Sequence, residues 1–193
     1  MRAILVAGLG FGDCSKGACV DALTRHYPVD LIVRYNGGCQ AGHNVVTPEG
    51  IHHTFAQFGA GMLANDTVRT HLSRYMLVEP LSMMNEAMAL EKLTPNVWAR
   101  TTVDADAVIT TPLHSQLNRL RERSRGKKCH GSCGRGIGVT RELHLKYGDE
   151  VLFARDFQKK GRLFDKLYNI WDYIGDETKE LAQPFGVNLD NLW

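Results

Sequence analysis

A carboxylate, a lysine and a histidine stand in two glycine-rich stretches near the start of the chain. The first runs Gly8-Leu9-Gly10-Phe11-Gly12-Asp13-Cys14-Ser15-Lys16-Gly17, the second Arg34-Tyr35-Asn36-Gly37-Gly38-Cys39-Gln40-Ala41-Gly42-His43-Asn44. Closely spaced glycines let successive backbone N–H groups converge on phosphate oxygens, and a helix N-terminus behind them adds positive potential. Lys16 would put a cation on terminal phosphates. Asp13, costly beside phosphates on its own, fits a proton-transfer role or a Mg²⁺ ion, and His43 supplies an acid. Phosphoryl transfer is the chemistry this set supports. The commonest phosphate loop is a poor match, because Ser15 takes the place of its second glycine and no hydroxyl follows Lys16. A bare strand-to-helix turn and a structural histidine are the plainer alternatives.

Arg2 to Ala7 is apolar without alternation, the pattern of a strand covered on both faces. Lys16 to His26 then reads as a helix with Ala18, Val20, Ala22 and Leu23 on its apolar side, and Val29 to Tyr35 as a second strand. This order makes a βαβ unit and implies a parallel sheet with a right-handed crossover. Ligands gather beyond the carboxyl ends of such strands, so Asp13 and His43 are expected to face one hollow.

His53 to Met62 reads as turn-rich. Pro80 opens a helix reaching Leu93, with Glu86 and Glu91 on its wet side. Asp106 to Thr111 is a short strand, and Pro112 opens a helix carrying Leu113, Leu117 and Leu120 to about Arg125. A loop with four glycines covers 127–138, followed by a short helix from Val139 to Lys146. From Val151 onward the pattern is helical, with Leu163, Leu167, Ile170 and Ile174 on one face. Without a linker or repeat, residues 1–193 read as one α/β domain.

With 193 residues, 44% apolar and 23% charged, the chain can bury a sizeable core. A net charge of +2 gives no general pull toward nucleic acid or membrane, and no run reaches bilayer length. The apolar start is broken too early for a signal peptide, which points to a cytoplasmic protein. Cys14, Cys19, Cys39, Cys129 and Cys133 are then expected as reduced thiols. Cys129-His130-Gly131-Ser132-Cys133 offers three soft ligands, but zinc normally takes four in separated pairs, so a glycine-rich loop is the better reading. The basic run Arg119, Arg121, Arg123, Arg125, Lys127 and Lys128 has only Glu122 opposing it and no interleaved aromatics. It reads as a solvated helix end rather than a nucleic-acid groove. His52, His53, His71, His130 and His144 lack ligand spacing or an evident partner, and Trp98, Trp171 and Trp193 read as packing residues.

Gly12-Asp13-x-x-Lys16-Gly17, Arg34-Tyr35-x-Gly37-Gly38-x-x-Ala41-Gly42-His43 and Gly134-Arg135-Gly136-Ile137-Gly138 resemble, in order, the signatures of the adenylosuccinate synthetase family. The Pro80 helix and Pro112-Leu113-His114 also fall in the family's order, and the resemblance covers about residues 1 to 145. It implies a P-loop NTPase-like α/β fold with a predominantly parallel sheet flanked by helices, here truncated to its N-terminal part. It also implies GTP-dependent ligation of L-aspartate to C6 of inosine monophosphate, through a 6-phosphoryl intermediate in purine nucleotide biosynthesis.

Carried over by motif, Asp13 would be the general base at purine N1 and His43 the general acid for transfer to O6. The resemblance assigns GTP to Gly12, Asp13, Cys14, Ser15, Lys16, Gly17, Ala18, Gly42, His43 and Asn44. It assigns the purine nucleotide to Asp13, Lys16, Gln40, Ala41, Gly42, His43, Ser132 and Cys133, and Mg²⁺ to Asp13 and the Gly42 carbonyl. The partners implied are the purine nucleotide, GTP and aspartate.

Several positions depart from the family pattern. Cys14 and Ser15 replace an acidic residue and a glycine, Ala18 a lysine, Gln40 an asparagine, and Ser132 and Cys133 two threonines. The family's shared dimer site takes an arginine near Lys146 or Tyr147; no arginine stands there, which leaves a homodimer open. The alternatives kept in view are a phage-type ligase acting on dGMP and a non-catalytic purine-nucleotide-binding remnant. Asp13 leans toward the ordinary enzyme rather than the phage branch.

Overall fold

The computed structural model describes residues 2–10, 12 and 14–186. In chain order these form α1 (Lys16–His26), β1 (Leu31–Arg34), β2 (Gly37–Gly38), β3 (His43–Val46), β4 (His52–Phe55), β5 (Arg69–Leu72), β6 (Met76–Val78), α2 (Pro80–Leu90), β7 (Thr101–Val103), β8 (Val108–Ile109), α3 (Pro112–Ser124), α4 (Ile137–Tyr147) and α5 (Lys160–Ala182). The chain divides into two compact units, Met1–Met76 with Leu81–Asp104, and Leu77–Pro80 with Ala105–Trp193.

In the first unit β1, β5 and β7 form a parallel sheet, with Ile32 opposite Thr70 and Thr70 opposite Thr101. Along β1 the even positions Ile32 and Arg34 are buried, while Leu31 and Val33 face outward. Phe55, Phe58, Met62, Val68 and Leu72 are fully buried and make the core with Ala87, Leu90 and Val97. The Arg100 guanidinium crosses this interior and donates to the carbonyls of Asn65 (3.0 Å) and Val68 (3.2 Å) and to the Thr94 hydroxyl (2.8 Å). A buried guanidinium is tolerated because those acceptors replace its water.

The expected first strand is not found. Residues 2–9 carry no helix or strand, and Leu5 is 89% and Leu9 99% exposed. An apolar run becomes a strand only where a ladder partner and cover exist, and here neither is supplied. The βαβ reading therefore holds for its helix and second strand, not its first. α1 has the expected limits, but its buried residues are Gly17, Asp21 and Thr24; Ala18 and Ala22 are exposed. Asp21 is held by Arg25 (2.8 Å), which also reaches the Leu63 carbonyl (3.3 Å).

A strand, His52–Phe55, runs into the segment read as turn-rich. It forms an antiparallel hairpin with β3, pairing His43 with Phe55 and Val45 with His53. Glu86 is not on the wet side of its helix: its carboxylate accepts the N–H groups of Ala56, Gln57 and Phe58.

In the second unit β6 and β8 pair in parallel, Leu77 with Val108 and Val78 with Ile109, and the Thr110 N–H extends the ladder to the Val78 carbonyl. Leu117, Val139, Leu143, Leu152, Ile170 and Ile174 form the buried interior. The basic run is less free than its composition suggested. Arg121 makes a two-pronged bond to Glu177 (2.7 and 2.8 Å) and also holds Glu142 (2.7 Å), tying α3 to α4 and α5. Arg125 pairs with Glu122, Arg119 donates to the Gly134 carbonyl (3.2 Å), and Arg123 lies 3.9 Å from the centre of the Phe185 ring. The stretch after Val151 first makes a short 3-10 turn, Ala154–Gln158, before α5 begins.

Three histidines read as lacking partners have them. His52 lies 3.3 Å from Asn44 Oδ1, His71 lies 2.9 Å from the Thr102 hydroxyl, and His144 lies beside Arg141 and edge-on to Phe153. All five cysteines are free thiols. Among the described residues no helix is long and apolar enough to cross a membrane.

Candidate functional site

The first glycine stretch ends at the N-terminus of α1, which the side chain of its N-cap residue does not close. Ser15, immediately before α1, has φ 53° and ψ 25°, and its side chain makes no capping hydrogen bond. That left-handed conformation is one a glycine adopts freely and a serine adopts at a cost. The uncapped first-turn N–H groups point their positive ends out of the helix. Lys16 adds a full charge there, with its Nζ donating to the Cys14 sulfur at 3.1 Å.

His43 is delivered to this helix end by the β3–β4 hairpin. Its Phe55 partner is fully buried, which anchors the hairpin, and Gly17 meets His43 on the other side. A Cβ built on Gly17 would lie 2.7 Å from the His43 Cβ, so only a glycine allows this approach. Burial, and then the charges of Arg34 and Lys16, lower the His43 pKa to about 4. At neutral pH the imidazole is therefore uncharged, with one N–H to donate and one nitrogen to accept.

The structure thus brings Cys14, Ser15, Lys16, Gly17 and His43 to one place. Ala18 is exposed one position further along α1, and Gly12 has φ 111°. Gln40 and Gly42 are exposed beside the Gly38–Ala41 turn, where the Ala41 N–H donates to the Gly38 carbonyl (3.2 Å). Asn44 points to its hairpin neighbours, accepting from the Thr54 hydroxyl. Asp13 lies outside the described residues. Among the described residues no three His, Cys, Asp or Glu side chains gather as a metal site.

Ser132 and Cys133 are exposed in the second unit, where they line a cleft of about 500 Å³ with Arg119, Glu122, Arg123 and Gly134. The Ser132 hydroxyl accepts from Asn118 (3.0 Å), and its N–H donates to Glu122 (3.2 Å). The glycine signature that follows has a structural reason. Gly136, at φ 79°, lies so close to α3 that a Cβ there would fall 2.6 Å from the Ser115 nitrogen. Asn118, Arg119 and Arg34 were not singled out as site residues from sequence. The glycines of 131–138 mark the loop, but nothing in the local pattern says which helix face it meets.

Comparison with known proteins gives a consistent answer. A family model for adenylosuccinate synthetase matches residues 5–191. The adenylosuccinate synthetase of Legionella pneumophila (strain Paris) is 31% identical over 194 residues, which cover 98% of this chain and 42% of that protein. That of Histophilus somni (strain 129Pt) is 33% identical over 202 residues, covering 100% and 44%. In three dimensions the chain is similar to fully ligated adenylosuccinate synthetase from Plasmodium falciparum, with a TM-score of 0.72 at 22% identity over 93% of this chain and 39% of that one. It is also similar to the cyanophage S-2L succinoaminodeoxyadenylate synthetase bound to dGMP, with dATP as energy donor, with a TM-score of 0.58 at 17% identity over 75% and 38%. The chain spans about two fifths of the length of the curated relatives it matches. The extent of the family match and the identity to these relatives place the chain in the adenylosuccinate synthetase family.

Proposed function

We propose that this chain carries the phosphate-handling part of a GTP-dependent ligase that joins L-aspartate to C6 of inosine monophosphate. The observation that supports the reading is the open first turn of α1, with Lys16, pressed against a neutral His43. N–H groups of Gly12 to Ala18 and the Lys16 ammonium hold the GTP phosphates. The imidazole N–H stabilises charge on the transferring phosphoryl, and a phosphate anion beside it raises its affinity for a proton, making it a competent acid.

Asp13 takes the proton from purine N1, and O6 attacks the γ-phosphorus as GDP leaves. The aspartate amine then displaces inorganic phosphate from C6. Phosphorylation turns a poor leaving group into a good one, and fixed charges do the rest. Gln40, Ala41, Ser132 and Cys133 would contact the purine nucleotide. A Mg²⁺ ion takes most of its ligands from water and phosphate and needs only one or two protein oxygens. The Gly42 carbonyl, on an exposed residue, and the Asp13 carboxylate are oxygen donors of that kind. Bound there, the ion would neutralise charge between the outer phosphates. A cytoplasmic setting belongs to the same reading.

Isothermal titration of the chain with GTP in the presence of Mg²⁺ tests it. Binding is expected, with Lys16→Met losing at least about tenfold in affinity, the worth of one charge-assisted contact. GTP binding that is absent in the wild type, or indifferent to Lys16, overturns the reading.

A further inference from the structure

Arg34 opens the second signature stretch, yet nothing in the phosphoryl-transfer chemistry uses it. Its side chain turns inward, leaving the residue 8% exposed, and its Nη1 donates to the Phe58 carbonyl at 3.1 Å. Glu86, from α2, grips the same turn. Its carboxylate accepts the N–H groups of Ala56 (2.9 Å), Gln57 (2.8 Å) and Phe58 (3.3 Å). A second tie joins the Gln57 side chain to the Ser82 hydroxyl at 3.2 Å. Burial pushes the Glu86 carboxyl above its ordinary range, while the three N–H groups and Arg34 pull the other way.

A largely buried cation and a largely buried carboxylate are thus engaged on one three-residue turn. Either charge would be expensive without the other and without the backbone groups it binds. The turn is the direct continuation of β4, whose last residue, Phe55, pairs with His43. On its other side His43 has no slack, because Gly17 is already at contact distance.

We propose that Arg34 and Glu86 are positioning residues for His43. Together they set the height of the β3–β4 hairpin against the first turn of α1, and so the distance of the imidazole from a phosphate held there. The role in phosphate handling rests on the function proposed above; the positioning of the ring does not.

The test compares three variants of the 193-residue chain by His43 ring resonances in the ligand-free protein and by GTP affinity with Mg²⁺. Glu86→Gln replaces an acceptor oxygen with an NH₂ facing N–H donors. Glu86→Asp keeps the charge on a shorter arm. Leu90→Ala, at a fully buried position of the same helix, destabilises while keeping the Glu86 carboxylate and its three N–H donors. Glu86→Gln is expected to move the His43 resonances and weaken GTP about tenfold, while Glu86→Asp recovers affinity to within about threefold and Leu90→Ala changes neither. Resonances unmoved by Glu86→Gln, or moved equally by Leu90→Ala, overturn the proposal. If Glu86→Gln does not fold, Arg34→Lys, which keeps the cation but shortens its reach to Phe58, carries the same comparison. Wild-type protein that binds no GTP defeats the proposed function and leaves the positioning to be judged on the His43 resonances alone.

Discussion

Gly17 and His43 touch backbone to side chain: a Cβ added at Gly17 would sit 2.7 Å from the His43 Cβ and 3.1 Å from its Cα. Neither atom is the loose end of a flexible side chain, so no rotamer change relieves the clash. Helix propensity alone would favour Gly17→Ala by about 1 kcal/mol. Overpacking costs about 1–3 kcal/mol and here falls on a paired strand, so it wins. The expected result is a net loss of about 1 kcal/mol in urea unfolding, with weaker GTP binding. A variant more stable than wild type would show that the hairpin can step back.

Ser15 presents the opposite case. It holds φ 53° with no capping bond to offset the strain. Ser15→Gly relieves a left-handed cost of about 1 kcal/mol and gives back part of it through a more flexible unfolded chain. A rise of roughly 0.5 kcal/mol in stability is expected, together with equal or tighter GTP binding, since backbone N–H groups can then approach phosphate without a side chain between them. Lower stability would mean that the serine side chain makes a stabilising contact in the folded, ligand-free chain.

The limits of α1 were legible because a glycine run precedes Lys16 and the helical pattern stops at His26. Its inward face was not. Apolarity pointed to Ala18 and Ala22, whereas close approach to His43 selects Gly17 and the interior takes Asp21 and Thr24. The β3–β4 hairpin was hidden because His43, Asn44, His52, His53 and Thr54 give a strand with little apolar alternation. Glu86 looked solvated because its partners are three backbone N–H groups about thirty residues away in sequence, which no side-chain pattern announces. Arg121 misled in the same manner, since Glu142 and Glu177 lie 21 and 56 residues distant. Of the candidate site, Lys16 and His43 were named from type and spacing, while the residues that hold them in place depend on long-range packing.

Acid should unfold this chain in part through His114. The residue is 1% exposed, and its Nδ1 accepts the Thr111 N–H at 3.0 Å, with the Thr111 hydroxyl 2.8 Å away. A nitrogen that accepts an N–H has no room for a proton, and burial lowers the pKa from 6.5 to about 4. Between those values the unfolded chain binds the proton and the folded one does not. The contribution is therefore complete above about pH 6.5 and is lost progressively as pH falls toward 4, on the order of 3 kcal/mol over the window. In His114→Asn the amide oxygen can take the place of Nδ1 as acceptor, without a titrating group. Urea unfolding followed from pH 7 to pH 4 should show a shallower decline for that variant than for wild type, whatever its absolute stability. Parallel curves would mean that the ring is already protonated in the folded protein, and that Thr111 is held by some other acceptor.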